Sequence, residues 1–462
     1  MKNSEMKNSR LTKRLISTLL FVCVFISGFQ AMAQQTDSIG KSGQVNKLFE
    51  SITDKSFPGA SVIVIHNGKI LLNKGYGLAN ILQSEPITPL TVFRLGSITK
   101  PFTAMAILQL YDKQMLQIND YVEKYFPGTL NGNKITIKNL LTHTSGITES
   151  LDTELAFTPG SQISYSNAGY NLLGKIIEKV SGMPYEKYLQ ENIFQPLGMN
   201  NTGYEHPDIK VKNFATGYKI SDNGSYTDIG ESDVSGAFSA GALYSTTEDM
   251  YKWDQALYTE KLVKASTLNQ AFSQTTLNDG STTKYGFGWM ISQWRGLKEV
   301  GHGGDITGFN SYIARYPDEQ FTVIVLSNIE MRPPGPLPDA GILAHKIAEI
   351  YLADKISATK EHVAISLDPK ILDSYTGQYR WINASKSWIE ASGEFLTIYK
   401  KNNQLFGKSK VGDIEITAEG ENQFFMKDNS TIKFLIVKDK VNGMVFDAMG
   451  LGVVIVNAQK VN

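Results

Sequence analysis

Three short stretches of the sequence hold residue types that could carry out nucleophilic chemistry. The first is Ser97-Ile-Thr-Lys100, which follows Gly96 and precedes an apolar run. A serine in the first turn of a helix lies beside free backbone N–H groups and the positive end of the helix dipole. A partly buried lysine one turn later can lose its proton and act as a base towards the hydroxyl. The alternative is an N-cap serine with a solvent-exposed lysine.

The spacing Ser-x-x-Lys is common and therefore not diagnostic alone. It occurs six times, beginning at Ser4, Ser38, Ser97, Ser281, Ser357 and Ser430. Only Ser97 opens a stretch that looks like a buried helix, so we single out Ser97 and Lys100.

The second stretch is Tyr165-Ser-Asn167, the only Tyr-x-Asn although the chain has 21 tyrosines. A nearby lysine ammonium would favour the phenolate, which could then accept a proton from a serine. The asparagine could donate to a substrate carbonyl. The alternative is a helix cap with a packed tyrosine.

The third stretch, residues 300–309, places His302 among the glycines that include Gly303 and Gly304, with Asp305 next. Glycine allows another backbone to approach a strand closely. We therefore expect a substrate to lie alongside this strand, although an exposed glycine-rich loop is the alternative.

Neither a metal nor a nucleotide cofactor is predicted. The six histidines are scattered and the one cysteine, Cys23, is alone, so no zinc-ligand spacing exists. We interpret His66, before a tight turn, as structural. For His143 in LLTHTSG a functional role is open, but we favour a hydrogen-bonded histidine at the end of a helix. Residues 169–175 resemble a phosphate-binding loop, but Ile176 replaces the required hydroxyl and the segment reads as helix.

Patterning predicts an α+β fold. A hairpin over residues 61–72 turns at Asn67-Gly68, and strands return at 311–316 and 321–327. Helical periodicity marks 103–111, 168–180 and 340–353, and residues 330–338 read as a loop. We expect one antiparallel sheet built from both ends of this region and covered by helices.

The two ends of the chain differ from this region. Residues 1–33 read as a signal peptide, with basic residues, an apolar run and Ala31-Met-Ala33; a lipoprotein at Cys23 is the weaker alternative. The predicted domain organisation continues with a domain at 34–355, a linker at 356–367 and a small β-barrel or sandwich at 368–462. The product would be exported, periplasmic or secreted, with no membrane span after cleavage. The full chain has a net charge of zero, and loss of the five basic residues and one acidic residue in 1–33 leaves the product at −4. This charge, without a basic patch, argues against nucleic-acid binding.

Tyr165 follows Ser97 by 68 residues, and His302 follows Tyr165 by 137 residues. In this order and spacing the three motifs resemble the class C β-lactamase family of serine hydrolases. That family includes penicillin-binding proteins, esterases and D-aminopeptidases. Supporting segments are LLTHTSG at 140–146, TPG at 158–160, GALYST at 241–246 and YGFGW at 285–289. The C-terminal part, with YTGQY at 375–379, resembles a lipocalin-like domain.

The resemblance implies a β-lactamase/transpeptidase-like fold and a role for each motif. Ser97 would form an acyl-enzyme, Lys100 and Tyr165 would share the acid–base work, and Asn167 would position the substrate. The backbone N–H groups of Ser97 and Asp305 would form the oxyanion hole. His302 and Gly304 would line the substrate.

One departure bears on the substrate. Many relatives carry Lys-Thr-Gly where this chain has His302-Gly-Gly304, so both a permanent cation and a hydroxyl are missing. We therefore expect an exported esterase or D-amino-acid peptidase acting on a small molecule or peptide. Two alternatives remain open: a β-lactamase or penicillin-binding protein that senses peptidoglycan fragments or β-lactams with slow turnover, and a ligand-binding role for the C-terminal module.

Overall fold

The computed structural model describes most of the chain. The described residues are 40–52, 56–148, 153–207, 210–221, 225–230, 232–330, 337–358, 362–382, 393–409, 412–427, 430–447 and 455–461. The predicted signal peptide at 1–33 lies outside them, as does most of the 330–338 loop. Residues 40–51 belong to one compact unit, in which a helix, α1, spans residues 40–48. The second unit runs from Ile52 to Asn462.

The second unit contains twenty-one described strands and ten described α-helices. The strands are β1 Ala60–His66, β2 Lys69–Tyr76, β3 Leu78–Asn80, β4 Glu85–Pro86, β5 Phe93–Arg94, β6 Gly203–Tyr204, β7 Tyr218–Ile220, β8 Tyr226–Asp228, β9 Leu243–Ser245, β10 Met290–Trp294, β11 Leu297–Ile306, β12 Phe309–Tyr316, β13 Phe321–Ser327, β14 Gly377–Trp381, β15 Phe395–Lys401, β16 Gln404–Ser409, β17 Gly412–Ala418, β18 Gln423–Phe425, β19 Thr431–Val437, β20 Lys440–Asp447 and β21 Ile455–Val461. The helices are α2 Thr99–Asp112, α3 Ile137–Leu141, α4 Asn167–Ser181, α5 Tyr185–Leu189, α6 Gln195–Leu197, α7 Phe238–Gly241, α8 Thr247–Ala256, α9 Ala265–Ala271, α10 Ala340–Tyr351 and α11 Pro369–Tyr375. Short 3-10 turns at Glu50–Ile52, Gly96–Ile98, Val122–Lys124, Ser235–Ala237 and Pro317–Glu319, and a π-helical turn at Gln190–Phe194, complete the set.

A six-stranded antiparallel sheet is assembled from both ends of this region, as the sequence predicts. Its strand order is β10-β11-β12-β13-β1-β2. The predicted hairpin joins β1 and β2, and both turn residues have positive φ, 50° at Asn67 and 74° at Gly68. That geometry is the one that an Asn-Gly turn favours. The three central strands β12, β13 and β1 are buried almost throughout, because helices cover both faces.

Helix α2 passes through the centre of the main hydrophobic core. Every residue from Thr99 to Leu110 is buried, and most of them are apolar. The buried side chains of Thr103 and Gln109 donate hydrogen bonds to the carbonyl oxygens of Ser239 and Asn192. The ring of Phe102 stacks on Trp253 with 4.1 Å between centroids. This packing fixes the helix and therefore the position of Lys100 in its first turn.

The C-terminal strands β14 to β21 close into an eight-stranded antiparallel barrel, which confirms the predicted all-β module. Aromatic side chains occupy its core, where Tyr375 stacks on Phe434 at 4.4 Å and Phe424 meets the same ring edge-on. Tyr379, Phe434 and Met444 have no exposed surface. Packed side chains fill the described part of the barrel interior, and a role for the module stays a prediction. The exact domain boundaries stay a prediction.

Candidate active site

The predicted nucleophile lies in a tight turn at the start of the central helix. Gly96 has a φ of +53° and opens the 3-10 turn Gly96–Ile98, from which α2 continues. A Cβ atom at Gly96 would lie 2.9 Å from the backbone nitrogen of Asp305. Glycine is therefore required here both by the backbone angle and by the approach of β11. The turn brings Ser97 next to the third motif.

Lys100 reaches back from α2 to the serine. Its Nζ lies 3.0 Å from Ser97 Oγ, 2.8 Å from Asn167 Oδ1 and 2.8 Å from the carbonyl oxygen of Ala240. The last two atoms can only accept hydrogen bonds. An ammonium donates to all three oxygens, whereas a neutral amine donates to the two carbonyl oxygens and turns its lone pair towards the serine hydroxyl. The contacts accommodate both states, so the surroundings of the nitrogen decide between them.

The surroundings of Lys100 favour the neutral state. The side chain is fully buried, and loss of hydration holds its pKa well below the ordinary 10.5. The Tyr165 ring, whose centroid is 4.7 Å from Nζ, would favour the ammonium form. Burial is the larger effect, since no described acid is paired with the nitrogen.

Tyr165 hydrogen-bonds Ser97 from the other side of the site. Tyr165 is 40% exposed, and the protein atoms around it restrict the hydration of the phenol, which raises its pKa above the ordinary value of 10. This direction is opposite to the sequence-based expectation of a favoured phenolate, because the loss of hydration outweighs the hydrogen bond with Ser97. A protonated Tyr165 is suited to donating rather than accepting a proton.

The start of α4 positions Asn167. Ser166 caps this helix, and its hydroxyl accepts a hydrogen bond of 3.0 Å from the backbone N–H of Gly169. Asn167 is the first helical residue, so its side chain is directed by the cap towards Lys100. The second motif thus reaches the first through a defined helix start.

The third motif lies on a strand edge, as expected. Strand β10 pairs with β11 only as far as Gly301, whereas β12 pairs with it along Val300–Ile306. From His302 onwards, one edge of β11 has no partner among the described strands. A substrate backbone could lie along this edge as an additional strand.

His302 does not provide a cation at this edge. Its Nδ1 lies 2.6 Å from the carbonyl oxygen of Gly303, so this nitrogen must carry the proton and donate. Nε2 lies 2.9 Å from the hydroxyl of Tyr285, from which it accepts. Burial and the nearby Lys100 lower the pKa of His302 to about 3. The histidine is therefore neutral, with both nitrogens occupied by protein groups.

Gly304 and Asp305 follow at the point where β11 meets the serine turn. A Cβ at Gly304 would lie 1.9 Å from the carbonyl oxygen of Leu95, so only glycine fits. The Asp305 side chain retains access to solvent, yet restricted hydration and the neighbouring Asp339 raise its pKa to about 7. Its backbone nitrogen lies close to Gly96, the residue that precedes Ser97.

These motifs agree with a comparison against known families. The pattern that defines the family described as Beta-lactamase matches residues 45–346. The chain belongs to this family. It is a serine hydrolase of the β-lactamase and penicillin-binding protein group, and the strands of the closed barrel, β14 to β21, follow the matched residues.

Individual relatives extend the similarity beyond the matched residues. A penicillin-binding protein of Bacillus subtilis (strain 168) is 28% identical over 446 residues, which cover 88% of this chain and 96% of the relative. The octameric penicillin-binding protein homologue from Pyrococcus abyssi shares the fold, with a TM-score of 0.62 and 24% identity, over 90% of this chain and all of that one. A D-stereospecific amidohydrolase from Streptomyces sp. is 25% identical with a TM-score of 0.55, over 67% of this chain and 98% of that one.

Sequence reasoning missed two aromatic neighbours of this β-lactamase-family site. His143, which we interpreted as structural, stacks on Tyr165 with 4.2 Å between ring centroids. Tyr285 bonds to His302 and meets the His143 ring at 4.6 Å. The sequence did contain a sign of both residues, because His143 lies in LLTHTSG and Tyr285 in YGFGW, two segments that support the family resemblance. No cluster of metal-ligating side chains and no helix able to span a membrane occurs among the described residues.

The acid–base state of Lys100 makes a testable prediction. If acylation requires the neutral amine, kcat/KM for a chromogenic ester falls as pH is lowered through the Lys100 pKa, which lies well below 10.5. No loss is expected up to about pH 9.5, because the Tyr165 phenol ionises above its ordinary value of 10. A pH–rate profile measures both the fall of kcat/KM at low pH and its constancy towards high pH. Lys100→Arg, which stays charged, should be inactive throughout; activity in that variant would contradict a lysine base.

Proposed function

We propose that this β-lactamase-family hydrolase cleaves an ester or amide through an acyl-enzyme on Ser97. The observation that carries the proposal is the fully buried Lys100, whose Nζ lies 3.0 Å from Ser97 Oγ. The lone pair of that nitrogen accepts the serine proton while Oγ attacks the substrate carbonyl carbon. The carbonyl oxygen becomes an oxyanion held by the backbone N–H groups of Ser97 and Asp305.

The protonated phenol of Tyr165 then supplies a proton to the leaving alkoxide or amine, and Lys100 returns the serine proton to the tyrosine. Asn167, bonded to Lys100, also orients the substrate. Water attacks the ester on Ser97 in the second half of the reaction, with the same groups in reverse order. The proposal therefore places acid, base and nucleophile within one connected set of hydrogen bonds.

A direct experiment is to trap the intermediate. The purified chain is mixed with a p-nitrophenyl ester, quenched in acid during turnover and digested, and the peptide that contains Ser97 is examined by mass spectrometry. We expect an added acyl mass on that serine. Turnover without any acyl adduct after rapid quenching would argue for direct attack by water instead.

The charge at the substrate edge favours an acyl donor without a carboxylate. His302 is neutral and already bonded on both nitrogens, and Asp305 lies at the same edge. The observed edge thus lacks the cation that would hold a penicillin carboxylate. An esterase or a peptidase acting on D-amino-acid compounds fits this charge distribution better, and the D-stereospecific amidohydrolase among the similar structures agrees with it.

Gly303, the middle residue of the third motif, offers a test in which a substitution should increase the reaction with a penicillin. A Cβ at Gly303 would meet its nearest atoms, in the ring of Tyr312, at 3.5 and 3.7 Å, which is ordinary contact distance. Gly303→Thr should therefore fold normally and restore the missing hydroxyl at the strand edge. We expect about tenfold faster acylation by a fluorescent penicillin, from one hydrogen bond to its carboxylate. An unchanged rate would show that the carboxylate does not bind along β11.

A second candidate is a penicillin-binding protein that acylates and releases its ligand slowly. The Bacillus subtilis relative, which bears that name and spans nearly the same length, favours it. Stoichiometric labelling by fluorescent penicillin without turnover of p-nitrophenyl acetate, nitrocefin or D-alanyl peptides would support this function over hydrolysis.

Export also belongs to the proposal. The basic start, the apolar run and Ala31-Met-Ala33 are typical of a cleaved signal peptide. Expression of the full chain with determination of the mature N-terminus tests it, and we expect cleavage after Ala33. A lipid-modified Cys23 at the N-terminus would favour the lipoprotein alternative.

A further inference from the structure

His143 adopts a backbone conformation that is unusual for its residue type. Its φ is +57°, in the left-handed region that disfavours side chains with a Cβ. The residue follows the end of α3, and its neighbours are fixed by hydrogen bonds between the hydroxyls of Thr142 and Thr144 at 2.9 Å. A strained conformation that is held so firmly raises the question of what it positions.

Two hydrogen bonds from His143 enclose the predicted proton donor. The backbone carbonyl of His143 accepts from the N–H of Ser164 at 2.8 Å, and its Nδ1 accepts from the N–H of Ser166 at 3.0 Å. Between these two residues lies Tyr165, whose ring stacks on the imidazole with a tilt of 32°. Main chain, ring nitrogen and ring face of one residue thus hold Tyr165 from three directions.

The environment of the imidazole keeps Nδ1 available as an acceptor. The ring is buried, and burial, Lys100 and His302 together hold the pKa of His143 well below 6.5. The neutral ring then carries its proton on Nε2, which is buried without a hydrogen-bond partner among the described residues. An unpartnered buried donor is destabilising, so stability alone does not account for a histidine here.

We propose that His143 is a positioning residue that holds the Tyr165 hydroxyl in line with Ser97 and the leaving group. The inference rests on the proposed acyl-enzyme function and adds the group that orients its proton donor. A displacement of about 1 Å in a reacting group can lower a rate by about 100-fold. The effect should appear only where the leaving group needs a proton.

Two substitutions separate the contacts of His143. His143→Asn retains an acceptor near the Nδ1 position, and asparagine tolerates positive φ better than most residues. His143→Phe retains the ring stack but removes the acceptor. For each variant, kcat/KM is measured on a p-nitrophenyl ester and on an alkyl ester or amide with the same acyl group. p-Nitrophenolate leaves without protonation, whereas an alkoxide or amine requires the proton from Tyr165.

We expect His143→Phe to lose about 10- to 100-fold on the alkyl substrate but less than about threefold on the p-nitrophenyl ester. His143→Asn should recover most of the loss. The matched control is His206→Asn, at a partly exposed histidine that pairs with Glu186 away from the motifs; both substrates should be unaffected. Equal losses on both substrates, or an asparagine variant as impaired as the phenylalanine variant, would overturn the inference.

A double-mutant cycle guards against a variant that folds poorly. In a Tyr165→Phe background the donor is absent, so His143→Phe should no longer change the ratio of rates on the two substrates. A ratio that changes as much as in the wild-type background would show that His143 acts by another route. Ser97→Ala separates failure of the proposed function from failure of the inference about His143. If Ser97→Ala keeps full activity, the proposed function is wrong. If activity requires Ser97 but His143→Phe leaves the ratio of kcat/KM on the two substrates unchanged, only the inference is wrong.

Discussion

Ser97→Ala should abolish covalent labelling by a fluorophosphonate and lower kcat/KM for an ester by about 10⁴-fold or more. Lys100 and Tyr165 both hydrogen-bond the Ser97 hydroxyl, so its loss disables the connected set as a unit. Gel fluorescence after labelling and initial rates on p-nitrophenyl acetate measure the two effects. The substitution removes a single oxygen, so the melting temperature should be nearly unchanged.

The chain offers a matched control for that experiment. Ser281 also stands three residues before a lysine, Lys284, but it is exposed and its hydroxyl donates to Asp279 at 2.6 Å. Ser281→Ala should label and react like the wild type. If Ser97→Ala labelled as strongly as Ser281→Ala, the assignment of the nucleophile would be wrong.

Gly304→Ala should be the most damaging single-methyl addition in the site. The new Cβ would lie 1.9 Å from the Leu95 carbonyl oxygen and 3.3 Å from Cγ1 of Ile98. The clash with Leu95 is with main chain, so it can be relieved only if β11 moves away from the serine turn. We expect a loss of about 1–3 kcal/mol in the free energy of unfolding, as for other overpacked sites. We also expect about 100-fold lower kcat/KM, because the Asp305 N–H would leave the oxyanion position.

Gly303→Ala is the matched control, one residue earlier on the same strand. Its Cβ would meet only the Tyr312 ring, at 3.5 Å, so stability and activity should remain close to those of the wild type. Thermal melts and ester kinetics on both variants decide the outcome. Similar behaviour of the two variants would mean that the close approach of β11 to Leu95 is not required.

Much of the architecture follows from local sequence patterns. The Asn67-Gly68 turn, the strand at 431–437 and the helix that ends before Gly182 are where patterning predicts them. Helix α10 ends at Tyr351, two residues before the predicted end at residue 353. Turn residues and alternating or helical periodicity act over a few residues, so they can be recognised without knowledge of the tertiary fold.

The candidate site was also recognisable, but only in part. Ser97, Lys100, Tyr165 and Asn167 lie within one hydrogen-bonded group, and Gly304 and Asp305 lie against the serine turn, as the motifs imply. Residue identity and spacing are sufficient for this because each motif begins a helix or ends a strand. Their catalytic roles stay a prediction until the experiments above are done.

The charge states, by contrast, were decided by the tertiary structure. The sequence left both states of Lys100 open, a neutral base for Ser97 and an ammonium that would favour the Tyr165 phenolate, whereas burial in the folded chain favours the neutral amine and a protonated phenol. The same holds for His143, which is distant from Tyr165 in the sequence and reaches it through a left-handed turn. Burial and long-range contacts set pKa values, and neither can be read from the order of residues. The sequence by itself therefore determined which groups this hydrolase has for its chemistry, and the folded chain determined which of them carry protons.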